Sequence, residues 1–217
     1  MGELLLVRHG ETEWSTAGRH TGRTDPPLTE EGERQALALA PLLARRRIAR
    51  ALCSPLRRAA RTAELSLPPG TGVRLESGLM EWDYGAYEGL TTAEIRQTRP
   101  GWDLWRDGVP PGDGNHPGET LAQVGERCDT ILARATAAPD EDRDADVVLI
   151  AHGHVLRVLT ARWLGQPPAD GALYRLDTSA LCVLGTEHGR HVIAGWNLLP
   201  WPEFPGRGSG QEPTRRS

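Results

Sequence analysis

Short apolar runs alternate with longer amphipathic stretches along this chain. Residues 4–7 and 147–151 are continuous apolar runs, which are typical of strands buried on both faces. Shorter runs predict further strands at 48–53, 73–75, 180–184 and 192–196. Apolar residues spaced three or four apart predict helices over about 30–43, 56–65, 91–99, 120–137 and 155–164. This alternation predicts an α/β protein, a three-layer sandwich with a largely parallel central sheet and helices on both faces.

The segments between these elements are polar or rich in glycine and proline. Residues 108–118 contain three prolines and four glycines and are predicted to form a loop, and residues 140–146 are predicted to form a solvated acidic connection. We expect residues 1–200 to form a single domain. Residues 201–217, dominated by Pro, Gly, Ser and Arg, are expected to form a mobile C-terminal tail.

Two of the predicted strands end in histidine. Arg8, His9 and Gly10 follow the first apolar run, and His152 follows the strongest one. Ligands of open α/β sheets bind beyond the carboxyl ends of the strands. We therefore expect His9 and His152 to share one crevice.

Composition restricts the chemistry. All 25 basic residues are arginine, so mechanisms that need a lysine are excluded, including Schiff bases and the phosphate-binding lysine of a P-loop. The formal charge of -4 gives no basic field that would indicate a nucleic-acid partner. Arginine is then the only permanent cation that can bind an anion.

Cysteine and hydropathy patterns indicate where the protein acts. Cys53, Cys128 and Cys182 are far apart and odd in number, which disfavours a disulfide framework or a structural zinc site. No apolar run is long enough to span a bilayer, and residues 4–7 are too short for a signal-peptide core. We expect a cytoplasmic protein with no membrane partner.

The residues at the strand ends suit a phosphate ester. Arginine forks bind a phosphate dianion, a neutral imidazole can attack phosphorus, and a carboxylic acid can protonate the leaving oxygen. The candidates are Arg8, His9, Arg58, Glu81 and His152. Each has a structural alternative, since Arg58 also fits a solvated helix face, His152 a helix cap and Glu81 an ordinary loop acid.

Six blocks in fixed order carry a resemblance to a known family. They cover residues 6–12 (LVRHGET), 18–29 (GRHTGRTDPPLT), 54–63, 79–89, 118–120 and 151–153. Together they resemble the histidine phosphatase superfamily, in the branch that contains the cofactor-dependent phosphoglycerate mutases. The resemblance implies the phosphoglycerate mutase-like fold and an enzyme that needs neither metal nor cofactor.

The same resemblance implies a role for each matching residue. His9 matches the nucleophile that becomes phosphohistidine, and Glu81 matches the proton donor. The phosphate pocket is matched by Arg8, Arg58 and His152. Further positions matching substrate contacts are Ser15, Thr21, Gly22, Tyr84 and Gly153.

Departures from the mutase pattern favour hydrolysis. Ser15 stands where mutases usually have Asn, their lysine after the fourth block is missing, and the 108–118 loop is short. Phrases such as EWDYGAYEG and AHGHVLR are similar to those of actinobacterial acid phosphatases and fungal sedoheptulose-1,7-bisphosphatase. His20 and His154 lie inside such phrases, so they are candidates for contacting a sugar or a second phosphate, or for a structural role.

We therefore expect a metal-independent phosphomonoesterase that acts on small phosphorylated metabolites, chiefly sugar phosphates, as a monomer or homodimer. A phosphoglycerate-type mutase and a non-catalytic or metal-binding protein are the alternatives. Selectivity is expected from residues 14–23 and 99–118. Candidates for binding a second anion are Arg19, His20, Arg23, Arg106, His116 and His154.

Overall fold

The computed structural model describes residues 2–137 and 144–200, and its centre is one sheet. Six strands follow the order β3-β2-β4-β1-β5-β6. Their bounds are Leu4–Arg8 (β1), Ile48–Cys53 (β2), Val73–Leu75 (β3), Asp146–Ala151 (β4), Leu181–Glu187 (β5) and Arg190–Leu198 (β6). The predicted tail over 201–217 lies outside the described residues.

The first four strands are parallel, and the last two close the sheet as an antiparallel hairpin. β1 and β4 are neighbours, with Val7 opposite Ile150 and Arg8 opposite Ala151. The next residues along each strand are His9 and His152. This register therefore brings the two histidines to the same edge of the sheet, as the sequence predicts.

Helices cover both faces of the sheet. They are Glu13–Thr16 (α1), Glu30–Leu43 (α2), Arg57–Ser66 (α3), Thr92–Thr98 (α4), Leu104–Asp107 (α5), Leu121–Thr136 (α6) and Gly153–Trp163 (α7), with 3-10 turns at Ser77–Leu79, Gly85–Tyr87 and Pro168–Leu173. Apolar residues of α2 and α3 pack on one face, and those of α6 and α7 pack on the other. The predicted three-layer α/β architecture is confirmed. No helix within 2–137 or 144–200 is both long and apolar enough to cross a membrane.

Threonine side chains cap the first turns of the two longest helices. The Thr29 side chain accepts a hydrogen bond from the Gly32 amide at the start of α2. Thr120 and Gln123 form a capping box at the start of α6. Such caps satisfy amides that have no partner inside the helix.

The structure differs from the sequence prediction at the acidic connection and at the shortest helices. Asp146 is not solvated: it begins β4, is 7% exposed and accepts a hydrogen bond from Arg46 Nε at 2.7 Å. The earlier part of that connection, 138–143, lies outside the described residues. Helices α1 and α5 have four residues each, too few to show a period in the sequence.

The central strand β4 should dominate stability. Leu149 is fully buried between the two helical layers. We expect Leu149→Ala to lower the free energy of unfolding by about 2–5 kcal/mol, because it leaves a cavity. Leu37→Ala is the matched control, since Leu37 on α2 is 51% exposed and its truncation should cost less than about 1 kcal/mol. Urea unfolding measures both, and equal losses would contradict this description of the core.

Candidate active site

A cleft of about 280 Å³ opens at the carboxyl ends of β1 and β4. Its size suits a small metabolite. It is lined by Arg8, His9, Thr12, Ser15, Gly18, Arg19, His20, Thr21, Glu81, Tyr84, Thr92, Gly153, His154, Arg157 and Leu176. The lining comes from the two strand ends, the 12–21 segment, the 81–92 segment and the start of α7.

The imidazole of His9 is held in one tautomer. Its Nδ1 lies 2.6 Å from the carbonyl oxygen of Gly10, which can only accept, so Nδ1 carries the hydrogen and Nε2 keeps its lone pair. Burial, with the charges of Arg58 and Arg8, holds the pKa of His9 well below its usual range. The ring is therefore neutral at physiological pH, the state in which it can act as a nucleophile.

Arg8 offers an anion a donor that nothing else uses. Its Nη1 donates to the Leu176 carbonyl at 2.6 Å. Its Nε is buried and has no hydrogen-bond partner in the described part of the chain. A buried donor without an acceptor is costly, so a phosphate oxygen in the cleft would stabilise this arrangement.

Arg58 and His152 form the floor behind the cleft. Arg58 Nε donates to His152 Nδ1 at 3.1 Å, and His152 Nε2 then donates to Ser54 Oγ at 2.7 Å. The His9 and His152 rings are 5.1 Å apart between centroids. Burial and the Arg58 charge lower the pKa of His152, so this ring is also neutral.

All five N–H groups of the Arg58 guanidinium have protein acceptors. Besides His152, they are the carbonyls of Thr21, Gly22 and Thr24 and, at 3.4 Å, the carboxylate of Asp25. Arg58 is fully buried, so its charge is fixed within the site. It holds the 21–25 segment against α3.

Glu81 is buried beside the start of α7 and lines the cleft. Its Oε1 accepts from the amides of Trp82 and Val155, and its Oε2 accepts from the amide of His154. The carboxylate thus caps the positive end of the helix. One side of Oε2 faces the cleft wall beside His154, whose Nδ1 is 4.0 Å away.

Tyr84, His154 and His20 form one wall of the cleft. The Tyr84 hydroxyl is 2.6 Å from His154 Nδ1, and the His20 ring lies 4.8 Å from the Tyr84 ring. Burial raises the pKa of Tyr84 and lowers that of His154, while burial lowers the pKa of His20 to about 4. All three side chains are therefore neutral hydrogen-bonding groups at physiological pH.

The other predicted contact residues divide into two groups. Ser15, Thr21 and Gly153 line the cleft, and Ser15 also completes the capping box of α1 with Thr12. Gly22 is not among the described lining residues. Its amide donates to Glu88, and a Cβ there would come within 2.6 Å of the Trp82 carbonyl oxygen, so only glycine allows this close approach.

Sequence reasoning missed several residues of the site. Thr12, Thr92 and Arg157 line the cleft, and Ser54 holds His152 from behind. Arg157 follows His154 by three positions, one helical turn, and this spacing was the available signal. The 99–118 segment, expected to set selectivity, contributes Trp105 behind His154, with ring centroids 5.4 Å apart.

Metal ligation finds little support in this site. Among residues 2–137 and 144–200, no group of three or more His, Cys, Asp and Glu side chains could hold a metal ion. His191, a further histidine that a metal site could use, lies on β6, where its ring stacks on Trp163.

Comparisons with known proteins agree with this geometry. Residues 4–199 match the family model of the histidine phosphatase superfamily, branch 1. An acid phosphatase of Mycobacterium tuberculosis is 40% identical over 92% of this chain and 94% of its own length. A sedoheptulose 1,7-bisphosphatase of Saccharomyces cerevisiae is 36% identical over 74% of this chain and 67% of its own length. A solved structure of a Mycobacterium tuberculosis open reading frame superposes with a TM-score of 0.82 at 39% identity, covering 92% of this chain and 99% of that one.

The fold and the cleft define an α/β enzyme with a histidine at the carboxyl end of a central strand. The chain belongs to the histidine phosphatase superfamily, and it is a phosphatase. The family resemblance of the sequence is confirmed.

The buried neutral histidines predict a loss of stability in acid. The unfolded chain binds a proton on His20 below its ordinary pKa of 6.5, whereas the folded chain does so only near pH 4. Stability should therefore fall as pH drops from about 6.5 toward 4, by up to about 1.4 kcal/mol per pH unit for each such histidine.

The variant His20→Asn removes one of these groups, so it should lower the dependence of the free energy of unfolding on pH by up to about 1.4 kcal/mol per pH unit. His188→Asn is the control, because His188 is exposed in the turn between β5 and β6. Urea unfolding at pH 7, 6 and 5 gives the slopes, and an unchanged slope for His20→Asn would contradict the buried neutral state.

Proposed function

We propose that this phosphatase hydrolyses small phosphate monoesters, chiefly sugar phosphates, through a covalent phosphohistidine on His9. The observation that carries the proposal is the pairing of a neutral His9, whose Nε2 lone pair is free, with the unpartnered Nε of Arg8 in the same cleft. A nucleophile and an unused cation side by side fit a phosphate ester.

In the first step, the substrate phosphate is bound and attacked. Arg8 donates to its oxygens, and the nearby charge of Arg58 adds attraction. Nε2 of His9 forms a bond to phosphorus while the bond from phosphorus to the ester oxygen breaks. The departing oxygen takes a proton from Glu81.

The second step releases phosphate. Glu81, now a carboxylate, accepts a proton from a water molecule, and the resulting oxygen attacks phosphorus. The bond from phosphorus to Nε2 breaks, so inorganic phosphate leaves and His9 regains its lone pair. Glu81 ends protonated, ready for the next substrate.

The acid role requires Glu81 to carry a proton while a substrate is bound. In this structure three amides donate to it, an arrangement that suits the carboxylate form. The proposed mechanism therefore needs the carboxyl to hold its proton until the ester oxygen departs.

Arg58 contributes here through charge and position. Its N–H groups are occupied by the 21–25 segment and His152, so a direct contact with phosphate needs one of these bonds to be exchanged. The direct contact stays a prediction. Its charge already helps to keep His9 neutral.

The wall formed by His20, Tyr84 and His154 supports a polyhydroxylated leaving group. Neutral imidazoles and a phenol donate to and accept from hydroxyls without attracting a charge. The relatives include an enzyme named for a sugar bisphosphate, sedoheptulose 1,7-bisphosphate. We therefore propose a sugar phosphate as the substrate class.

The nucleophile is tested by replacing His9. We expect His9→Ala to lower the rate of inorganic phosphate release by at least ~10³-fold and to abolish acid-labile labelling of the protein by substrate phosphate. His188→Ala, at the exposed hairpin turn, is the control and should keep full activity. Undiminished turnover by His9→Ala would overturn covalent catalysis. If the wild-type protein isomerises its substrate without releasing inorganic phosphate, it is a mutase.

The proton donor is tested by comparing leaving groups. Glu81→Gln should slow a sugar phosphate by about 10²–10⁴-fold, because an alkoxide needs a proton to leave. The same variant should slow the cleavage of p-nitrophenyl phosphate much less, since nitrophenolate leaves without needing a proton. Burst-phase measurements isolate that step, and equal losses for both substrates would contradict the donor role.

A further inference from the structure

The cleft holds more positive charge than one phosphate requires. Arg8, Arg19 and Arg157 line the cleft, and the charge of Arg58 acts on His9 from behind it. Within the lining, Glu81 is the carboxylate that faces these cations. The chain as a whole has a formal charge of -4, so this local excess is specific to the site.

Three of the six sequence candidates for a second anion already pair with a carboxylate. Arg23 lies 3.6 Å from the Asp83 carboxylate, and Arg106 pairs with Asp107 at 2.8 Å. His116 pairs with Asp113 at 3.2 Å. These side chains therefore have local partners.

The two cleft histidines of that candidate group carry no charge. Burial keeps His20 and His154 neutral, as described above. Arg19 is exposed at the rim, where solvent and salt weaken its attraction for an anion, and its Nη1 donates to the Gly89 carbonyl at 2.6 Å.

Arg157 differs from these candidates because hydrogen bonds hold its side chain in place without a carboxylate that would neutralise its charge. Its Nε and Nη2 each donate to a carbonyl, that of Gly171 and that of Ala172, both at 3.0 Å. Its guanidinium carbon lies 4.6 Å from the centre of the Trp105 ring. No carboxylate of the described residues lies within 4 Å of it. Carbonyls and an aromatic face orient a guanidinium while leaving it its full charge.

Its position suits the far end of a substrate. Arg157 is four residues after Gly153 on α7, so it lies ~6 Å along the helix axis from the end that faces His9 and Glu81. Burial lowers the pKa of Arg157, whereas the nearby Glu81 and Tyr84 act in the opposite direction and Arg8 adds a smaller repulsion. An anion bound between Arg157 and Arg8 would relieve that repulsion.

We propose that Arg157 binds a second anionic group of the substrate, a phosphate or a carboxylate, several ångströms from the phosphate that His9 attacks. This inference rests on the proposed function, since it deepens the substrate class of the same cleft. The preferred substrates are then sugar bisphosphates or phosphorylated sugar acids rather than simple monophosphates.

The test compares a substrate with and without the second anion. In the wild type, fructose 1,6-bisphosphate should have a kcat/KM at least 10-fold above that of fructose 1-phosphate. Arg157→Met, which keeps the bulk over Trp105, should lower kcat/KM for the bisphosphate by 10–100-fold, mainly through KM. The loss for p-nitrophenyl phosphate should stay below 3-fold, and Arg157→Lys should recover part of the bisphosphate activity.

Arg162→Met is the matched control. Arg162 lies on the same helix but pairs with Asp129, 2.8 Å away, so both substrates should be unaffected. Equal losses for all substrates in Arg157→Met would overturn the proposal and assign Arg157 a structural role. If that variant does not fold, a wild-type preference of one or less for the bisphosphate overturns it. Failure of the proposed function would look different, because p-nitrophenyl phosphate hydrolysis would then survive His9→Ala.

Discussion

A buried guanidinium joins the parts of this active site. Arg58 has no exposure to solvent, and its donors reach His152 at the end of β4 and three carbonyls of the 21–25 segment. An unpaired buried charge costs several kcal/mol, so these acceptors cannot be released cheaply. The segment that supplies Thr21 to the cleft is therefore fixed by the same residue whose charge lowers the pKa of His9.

Electrostatics also explains why the two strand-end imidazoles of this cleft are uncharged. Guanidinium groups stay charged under all physiological conditions, whereas an imidazole beside them in a dry pocket loses its proton. His9 and His152 both lie next to Arg58 and are both neutral. The cations proposed to attract phosphate thus also help to keep the His9 imidazole neutral, the form that the proposed mechanism requires.

The sequence predicts those features that depend on local patterns. The buried runs of β1 and β4 are continuous apolar stretches, so the strands and the polar residues that end them are visible without coordinates. Helices α2 and α6 are visible in the same way, because their apolar residues recur every three or four positions. The convergence of His9 and His152 follows from the parallel pairing that such strands adopt.

Features that depend on pairing across the fold escape the sequence. Asp146 lies in an acidic run, and its burial depends on the ion pair with Arg46, which is 100 residues away in the sequence. The occupation of every Arg58 donor, and the partners of Arg23, are likewise properties of the folded chain. Helical spacing relates Arg157 to His154, but the Gly171 and Ala172 carbonyls and the Trp105 ring that hold it come from other segments and appear only in the folded chain.

The Gly10 carbonyl has a consequence for the chemistry of the covalent intermediate. Since it accepts the hydrogen of Nδ1, the ring can bond to phosphorus only through its other nitrogen. The phosphoramidate would then be the tele isomer, and a positional assignment by heteronuclear NMR would find no pros-linked species. A single backbone oxygen in the turn after β1 would thereby set the regiochemistry of the proposed reaction.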